Sequence, residues 1–227
     1  ISILDAACHS LITRRMFPAS ANYYGIDVSI SRLKLAFKQK QSGDVLYLGD
    51  LTLPLNLNSC FDVVVSCNTL SHLPPIYLND ALNNLIRSVK SNGYFIVNIG
   101  LSRDFQSVAH RLLDSFSSVE TVFLGTKSSR EIDSHKNLEP SDIPSLVAKY
   151  EQSVPNNACL HSQVLFYASN KTNVNRHTNA PGSPSKILRL NSIPESQVLK
   201  YSSDSDLVAK LTKNNEFDLI LFSDSLY

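Results

Sequence analysis

The chain has 227 residues, 43% of them hydrophobic, enough for one complete α/β domain with its own core and a fragment beyond it. Its 21 Lys+Arg stand against 20 Asp+Glu with no basic block, so the composition carries no signature of electrostatic capture of a nucleic-acid backbone. No apolar run approaches the roughly 20 residues that span a bilayer, and no signal peptide is readable.

The four cysteines, Cys8, Cys60, Cys67 and Cys159, show neither CxxC nor Cys/His spacing, so no metal site is read. Cys8 and Cys67 fall at strand ends and read as buried, reduced thiols, which fits a cytoplasmic setting. The chain opens inside a strand without an initiator Met, and reads as an excerpt of a longer polypeptide whose other domains are expected partners.

An apolar strand over residues 1–4 runs into Asp5, an irregular turn and helix follow, and a second apolar strand over 23–26 runs into Asp27. An acid at the tip of the second strand is where a ribose diol sits in a nucleoside-binding β-α-β unit. Residues 31–39 (SRLKLAFKQ) carry apolar positions at helical spacing, with Ser29 or Ser31 as N-cap. Strands are predicted over 44–48 and 61–66. A helix over 78–89 (LNDALNNLIRSV) follows Pro74 and Pro75 and closes at Asn92 and Gly93. A fifth strand covers 94–99. Near-continuous apolar strands such as FDVVVS predict parallel strands buried on both faces. Right-handed crossovers then build an α/β, doubly wound, mostly parallel sheet.

Beyond Gly100 the pattern predicts a helix over 105–115, a strand over 119–124, a polar irregular insertion over 125–157 and a strand over 163–168. The two late strands are expected as an antiparallel, hairpin-like edge. Residues 170–185 (NKTNVNRHTNAPGSPS) have almost no large apolar side chain and read as a linker. The expected organisation is therefore a first domain over 1–171, a linker over 172–185 and a partial second α/β segment over 186–227. That last segment reads as a βαβ-like fragment with a helix over 204–213 and a strand over 217–222. Residues 61–71 and 217–227 align without gaps. Either any buried strand followed by a turn produces this echo, or a second domain of the same kind begins there.

In their joint order and spacing, residues 1–171 resemble the class I S-adenosylmethionine-dependent methyltransferases. ILDAACHSL stands where that family has a strand, an acid and a glycine-rich turn. YYGIDVS stands at the acid that holds the ribose, and LGDLTLPL at the loop that meets the adenine. FDVVVSCNTLSHLP resembles strand four with its substrate-facing loop. LNNLIRSVKSNGYFIVNIG is similar to the helix and strand five, while VETVFLG and QVLFYAS resemble the reversed pair at the sheet edge. The resemblance implies a Rossmann-like, mostly parallel seven-stranded sheet and S-adenosylmethionine as cofactor, with no metal. It implies cofactor contacts from Asp5, Ala6, Ala7, Asp27, Val28, Asp50, Leu51, Cys67 and Asn68.

The residues also have plainer readings. Asp27 would cap the helix after it, Asp50 would be an ordinary turn acid, and Asp5 would orient the turn or reach the ligand's ammonium through water. His72 is the titratable side chain near that rim suited to proton transfer at neutral pH; it is either a surface histidine before Pro74 or the candidate catalytic base. Arg14 and Arg15 read as a solvated helix face or an anion contact. The family's three small or glycine positions after the acid are here Ala7, His9 and Leu11. Ala7 can stand in for glycine, but His9 and Leu11 predict a changed loop path. A dinucleotide would need its pyrophosphate cradled against a glycine-rich turn, so an NAD-dependent enzyme is disfavoured. The expected function is methyl transfer to a small-molecule or biosynthetic acceptor. The alternative is a non-catalytic module of this fold serving assembly within a larger polypeptide.

Overall fold

The structure is a computed structural model that describes residues 1–100, 104–124, 131–153, 163–172 and 187–189. Among the described residues, nine strands form one sheet: β1 (Ser2–Ala6), β2 (Asn22–Asp27), β3 (Val45–Gly49), β4 (Phe61–Ser66), β5 (Val89–Gly100), β6 (Phe116–Leu124), β7 (Glu131–His135), β8 (Gln163–Lys171) and β9 (Ile187–Arg189). The helices are α1 (Ile30–Gln39), α2 (Pro75–Ser88), α3 (Asp104–Ser115) and α4 (Asp142–Ser153). Short 3-10 turns occupy Ile12–Met16 and Leu70–His72.

The strand order is β7-β6-β8-β5-β4-β1-β2-β3-β9. Strands β1 to β5 pair in parallel, and β8 runs antiparallel between β5 and β6. Chain order reverses between β1 and β4, so the crevice of this open sheet lies above the carboxyl ends of those strands.

The apolar pattern explains the layers. In α1, Ile30, Leu33, Ala36 and Phe37 are buried, and Ser29 caps the helix by accepting the Arg32 N–H at 3.4 Å. They pack with Ile3, Leu46 and Val65 on one sheet face. Buried residues of α2, α3 and α4 pack with Leu4, Val64, Val97 and Phe166 on the other.

Three features differ from the sequence expectation. The sheet gains two antiparallel edge strands beyond the expected seven: β7 on β6, and β9 on β3. The stretch read as a polar insertion holds β7 and α4, because Ile143 and Leu146 supply a buried stripe that its polar average conceals. Gly93 does not close a helix, since α2 ends at Ser88 and β5 is already extended from Val89. A Cβ there would stand 2.9 Å from the Asp62 carbonyl oxygen and 3.0 Å from that of Phe61, where the β4–β5 register shifts. The linker, apart from its first residues, and the elements expected over 204–213 and 217–222 lie outside the described residues.

Candidate functional site

The first loop keeps the backbone that glycines would give it. Ala7, His9 and Leu11 have φ of 60°, 50° and 62°, all in the left-handed region. His9 and Leu11 thus hold the loop in the left-handed conformation that glycine takes without cost, at about 1–2 kcal/mol of strain each. Several contacts hold it there. Cys8 N–H donates to the Ile26 carbonyl at 3.0 Å, and Leu11 N–H to the Cys8 carbonyl at 2.8 Å. The Leu11 side chain turns down into the core on the α1 face, beside Cys8 and Tyr23, and so stays out of the crevice. Gly25 makes room for Cys8, since a Cβ at Gly25 would lie 2.7 Å from the Cys8 Sγ.

Arg14 braces the loop from below, which overturns its reading as a solvated residue. Its guanidinium is buried, bonds Asp44 at 2.9 Å, and donates to the carbonyls of Phe17, Pro18 and Ala19 and to the Gln41 side chain. It also lies 5.1 Å from the centre of the Tyr23 ring. Arg15 remains exposed.

Asp5 is 1% exposed and accepts hydrogen bonds from the Thr13 hydroxyl at 2.6 Å and from the Tyr23 hydroxyl. Burial pushes its carboxyl up to about 6, against the opposing pull of those two bonds. The same burial, with Asp5 beside it, drives the Tyr23 hydroxyl far above its usual value. Asp5 thus orients the turn through side-chain hydroxyls rather than backbone N–H groups.

Above the loop opens a shallow cleft lined by Ala7, Asp27, Val28, Gly49, Asp50, Leu51, Thr69 and Leu73. Five of the expected cofactor residues meet there: Ala7, Asp27, Val28, Asp50 and Leu51. Asp27 takes the His9 N–H on Oδ2 and the Ser29 N–H on Oδ1, both at 2.9 Å. It therefore ties loop to strand, while Ser29 does the capping of α1. Asp50 accepts both the N–H and the hydroxyl of Thr52 on Oδ1 at 2.8 Å.

Four expected cofactor residues and the expected base lie off the cleft walls. Ala6 is fully buried in the core on the α2 face, and Asp5 sits beneath the loop. Cys67 is half-buried at the end of β4, where burial raises its thiol. His72 is exposed on the Leu70–His72 turn, next to the cleft residue Leu73. Asn68 stands at the crest between β4 and β5, with φ 55°, bonded to Asn98 and Gln163. Sequence reading passed over Gly49, Thr69, Leu73, Asn98 and Gln163. A polar residue interrupting the apolar run FIVNI was the signal for Asn98; Gln163 had none. Among the described residues, no three His, Cys, Asp or Glu side chains converge as a metal site, and no helix is long and apolar enough to cross a membrane.

Residues 4–97, from β1 into β5, match the family described as Methyltransferase domain. The chain draws every residue that lines the cleft from that stretch. Its fold resembles that of a TehB-like SAM-dependent methyltransferase from Corynebacterium glutamicum, at 19% identity and a TM-score of 0.50, over 74% of this chain and 79% of that one. It also resembles the N-methyltransferase NodS from Bradyrhizobium japonicum, solved with S-adenosyl-l-homocysteine, at 14% identity and a TM-score of 0.53, over 74% of this chain and 77% of that one. No curated protein matches the chain by sequence.

Proposed function

We propose that the methyltransferase domain binds S-adenosylmethionine in the cleft above β1, β2 and β3 and transfers its methyl group to a small-molecule or biosynthetic acceptor. The observation that carries this reading is the convergence of Asp27, Asp50 and Ala7 on one cleft with apolar walls.

The residues suit an adenosyl group. A carboxylate has about four acceptor positions, and the two backbone bonds to Asp27 leave one free on each oxygen for a pair of ribose hydroxyls. Val28, Leu51 and Leu73 offer apolar surface for a purine, and Asp50 an acceptor for an exocyclic amine. Ala7, the smallest side chain short of glycine, lines the cleft and leaves a ligand room to approach the backbone. When bound, the cofactor supplies an electrophilic methyl on a sulfonium, so the protein's contribution is alignment and exclusion of water. His72 is the group we assign to take a proton from acceptors that must lose one.

The setting we propose is cytoplasmic, in keeping with the free thiols Cys8, Cys60 and Cys67. A non-catalytic role would follow from a filled hollow, and neither His9 nor Leu11 is among the residues lining this cleft. Thermal unfolding with S-adenosylhomocysteine tests the reading. A hundredfold excess over Kd stabilises the native state by about 2.7 kcal/mol, a rise of roughly 5–10 °C for a chain of this size. NAD should produce no rise. An unchanged melting temperature with millimolar S-adenosylhomocysteine would return the domain to the assembly reading.

A further inference from the structure

Three amide side chains from three elements meet at the crest beside the cleft. Asn68 follows β4, Asn98 lies in β5 and is 6% exposed, and Gln163 opens β8. The Asn68 backbone N–H donates to Asn98 Oδ1 at 2.5 Å. Asn98 Nδ2 donates to Asn68 Oδ1 at 2.8 Å and to Gln163 Oε1 at 2.9 Å. Gln163 Nε2 donates to Asn68 Oδ1 at 2.9 Å.

A backbone N–H cannot be turned round, and that fixes the rest. It pins the oxygen of Asn98 toward Asn68, so Asn98 must point its nitrogen at the oxygens of Asn68 and Gln163. Turning Asn68 over would set its nitrogen against two other donors. The Asn68 Oδ1 is then saturated, while its Nδ2 makes no hydrogen bond among the described residues and the residue is exposed. Asn also tolerates the left-handed backbone that this position requires. The neighbouring turn is held to β5 by the Gly100 N–H, which donates to Ser71 Oγ at 3.2 Å. Thr69, the next residue, lines the cleft.

We propose that this triad is the acceptor-recognition site of the methyltransferase, presenting Asn68 N–H donors to a carbonyl or carboxylate oxygen of the molecule to be methylated. Asn98 and Gln163 are positioning residues that set the polarity of Asn68. The triad holds no ionisable group, so a cationic acceptor finds no counter-charge in it. The inference rests on the methyl-transfer reading and adds the chemistry of the acceptor.

The test uses the whole chain saturated with S-adenosylhomocysteine, whose own titration reports separately on cofactor binding. Three probes of one shape are then compared by ligand-observed NMR: 4-hydroxybenzoate, 4-hydroxybenzamide and tyramine. The benzoate and benzamide should bind and tyramine should not. Asn68→Asp should weaken the benzoate at least tenfold. Asn98→Asp puts an acceptor where the donor stood, forces both neighbouring amides over, and should invert the preference toward tyramine. Loss of folding would leave the secondary structure altered, whereas inverted preference is not an effect of mere destabilisation. Equal binding of tyramine, no binding of any probe, or an unchanged preference in folded Asn98→Asp protein would overturn the proposal, even where S-adenosylhomocysteine binds normally.

Discussion

The carboxylate of Asp27 accepts the backbone N–H of His9 at 2.9 Å, so the acid that closes β2 also holds the loop that leaves β1. One side chain thereby shapes the loop and lines the cleft. Asp27→Ala should remove both actions. Leaving the His9 and Ser29 N–H groups without their acceptor costs about 1–3 kcal/mol, read as a lower denaturation midpoint. Affinity for S-adenosylhomocysteine should fall at least tenfold, and unchanged affinity would contradict the ribose assignment.

The strained loop separates two opposing effects. At Ala7, glycine relieves a left-handed residue and loses one methyl group, so Ala7→Gly should leave stability unchanged or raise it by up to about 1 kcal/mol. At Leu11 the same relief comes with loss of a side chain that is 5% exposed in the core. Truncating a buried leucine costs about 2–5 kcal/mol, which outweighs the relief. Leu11→Gly should therefore lower the melting temperature although it relieves the strained backbone.

Burial of the Asp5 carboxyl gives the fold a pH dependence. Its carboxyl rises on folding from 3.8 to about 6, so the folded state holds this proton more tightly than the unfolded state. The stabilisation is complete below the unfolded value and is lost as pH rises through about 6, an effect on the order of 2–3 kcal/mol. Asp5→Asn keeps an oxygen for Thr13 and Tyr23 and cannot ionise. Denaturant titrations should show wild-type stability falling across this window while the variant lacks that slope.

Gly25 and Cys8 are a packing pair. A methyl group at Gly25 would meet the Cys8 Sγ at 2.7 Å and the Leu46 side chain at 3.1 Å, so Gly25→Ala should cost about 1–3 kcal/mol. Cys8→Ala removes the sulfur and should restore part of that loss in the double variant. A double-mutant cycle measures the coupling, and simple additivity would deny the clash.

Most of the sheet was legible because its signals are local. FDVVVS and YFIVNIG are apolar on both faces, and the acids Asp27 and Asp50 end strands whose order follows from the crossovers. Five of the nine expected cofactor residues meet in one cleft for that reason. What escaped reading depends on partners distant in sequence. Arg14 looked solvated because Asp44, its buried partner, lies thirty residues on. The Asn68–Gln163 bond spans ninety-five positions. The sequence predicts a changed path for the loop at His9, because the cost of side chains there is visible in sequence while the restraints from Asp27, Cys8 and Arg14 are not.

Calorimetric titration of the whole chain with S-adenosylhomocysteine asks most directly whether this cleft holds an adenosyl cofactor. The account predicts saturable binding at one site, weakened at least tenfold in Asp27→Ala. An absence of heat at millimolar ligand, at two temperatures to guard against a vanishing enthalpy, would contradict it.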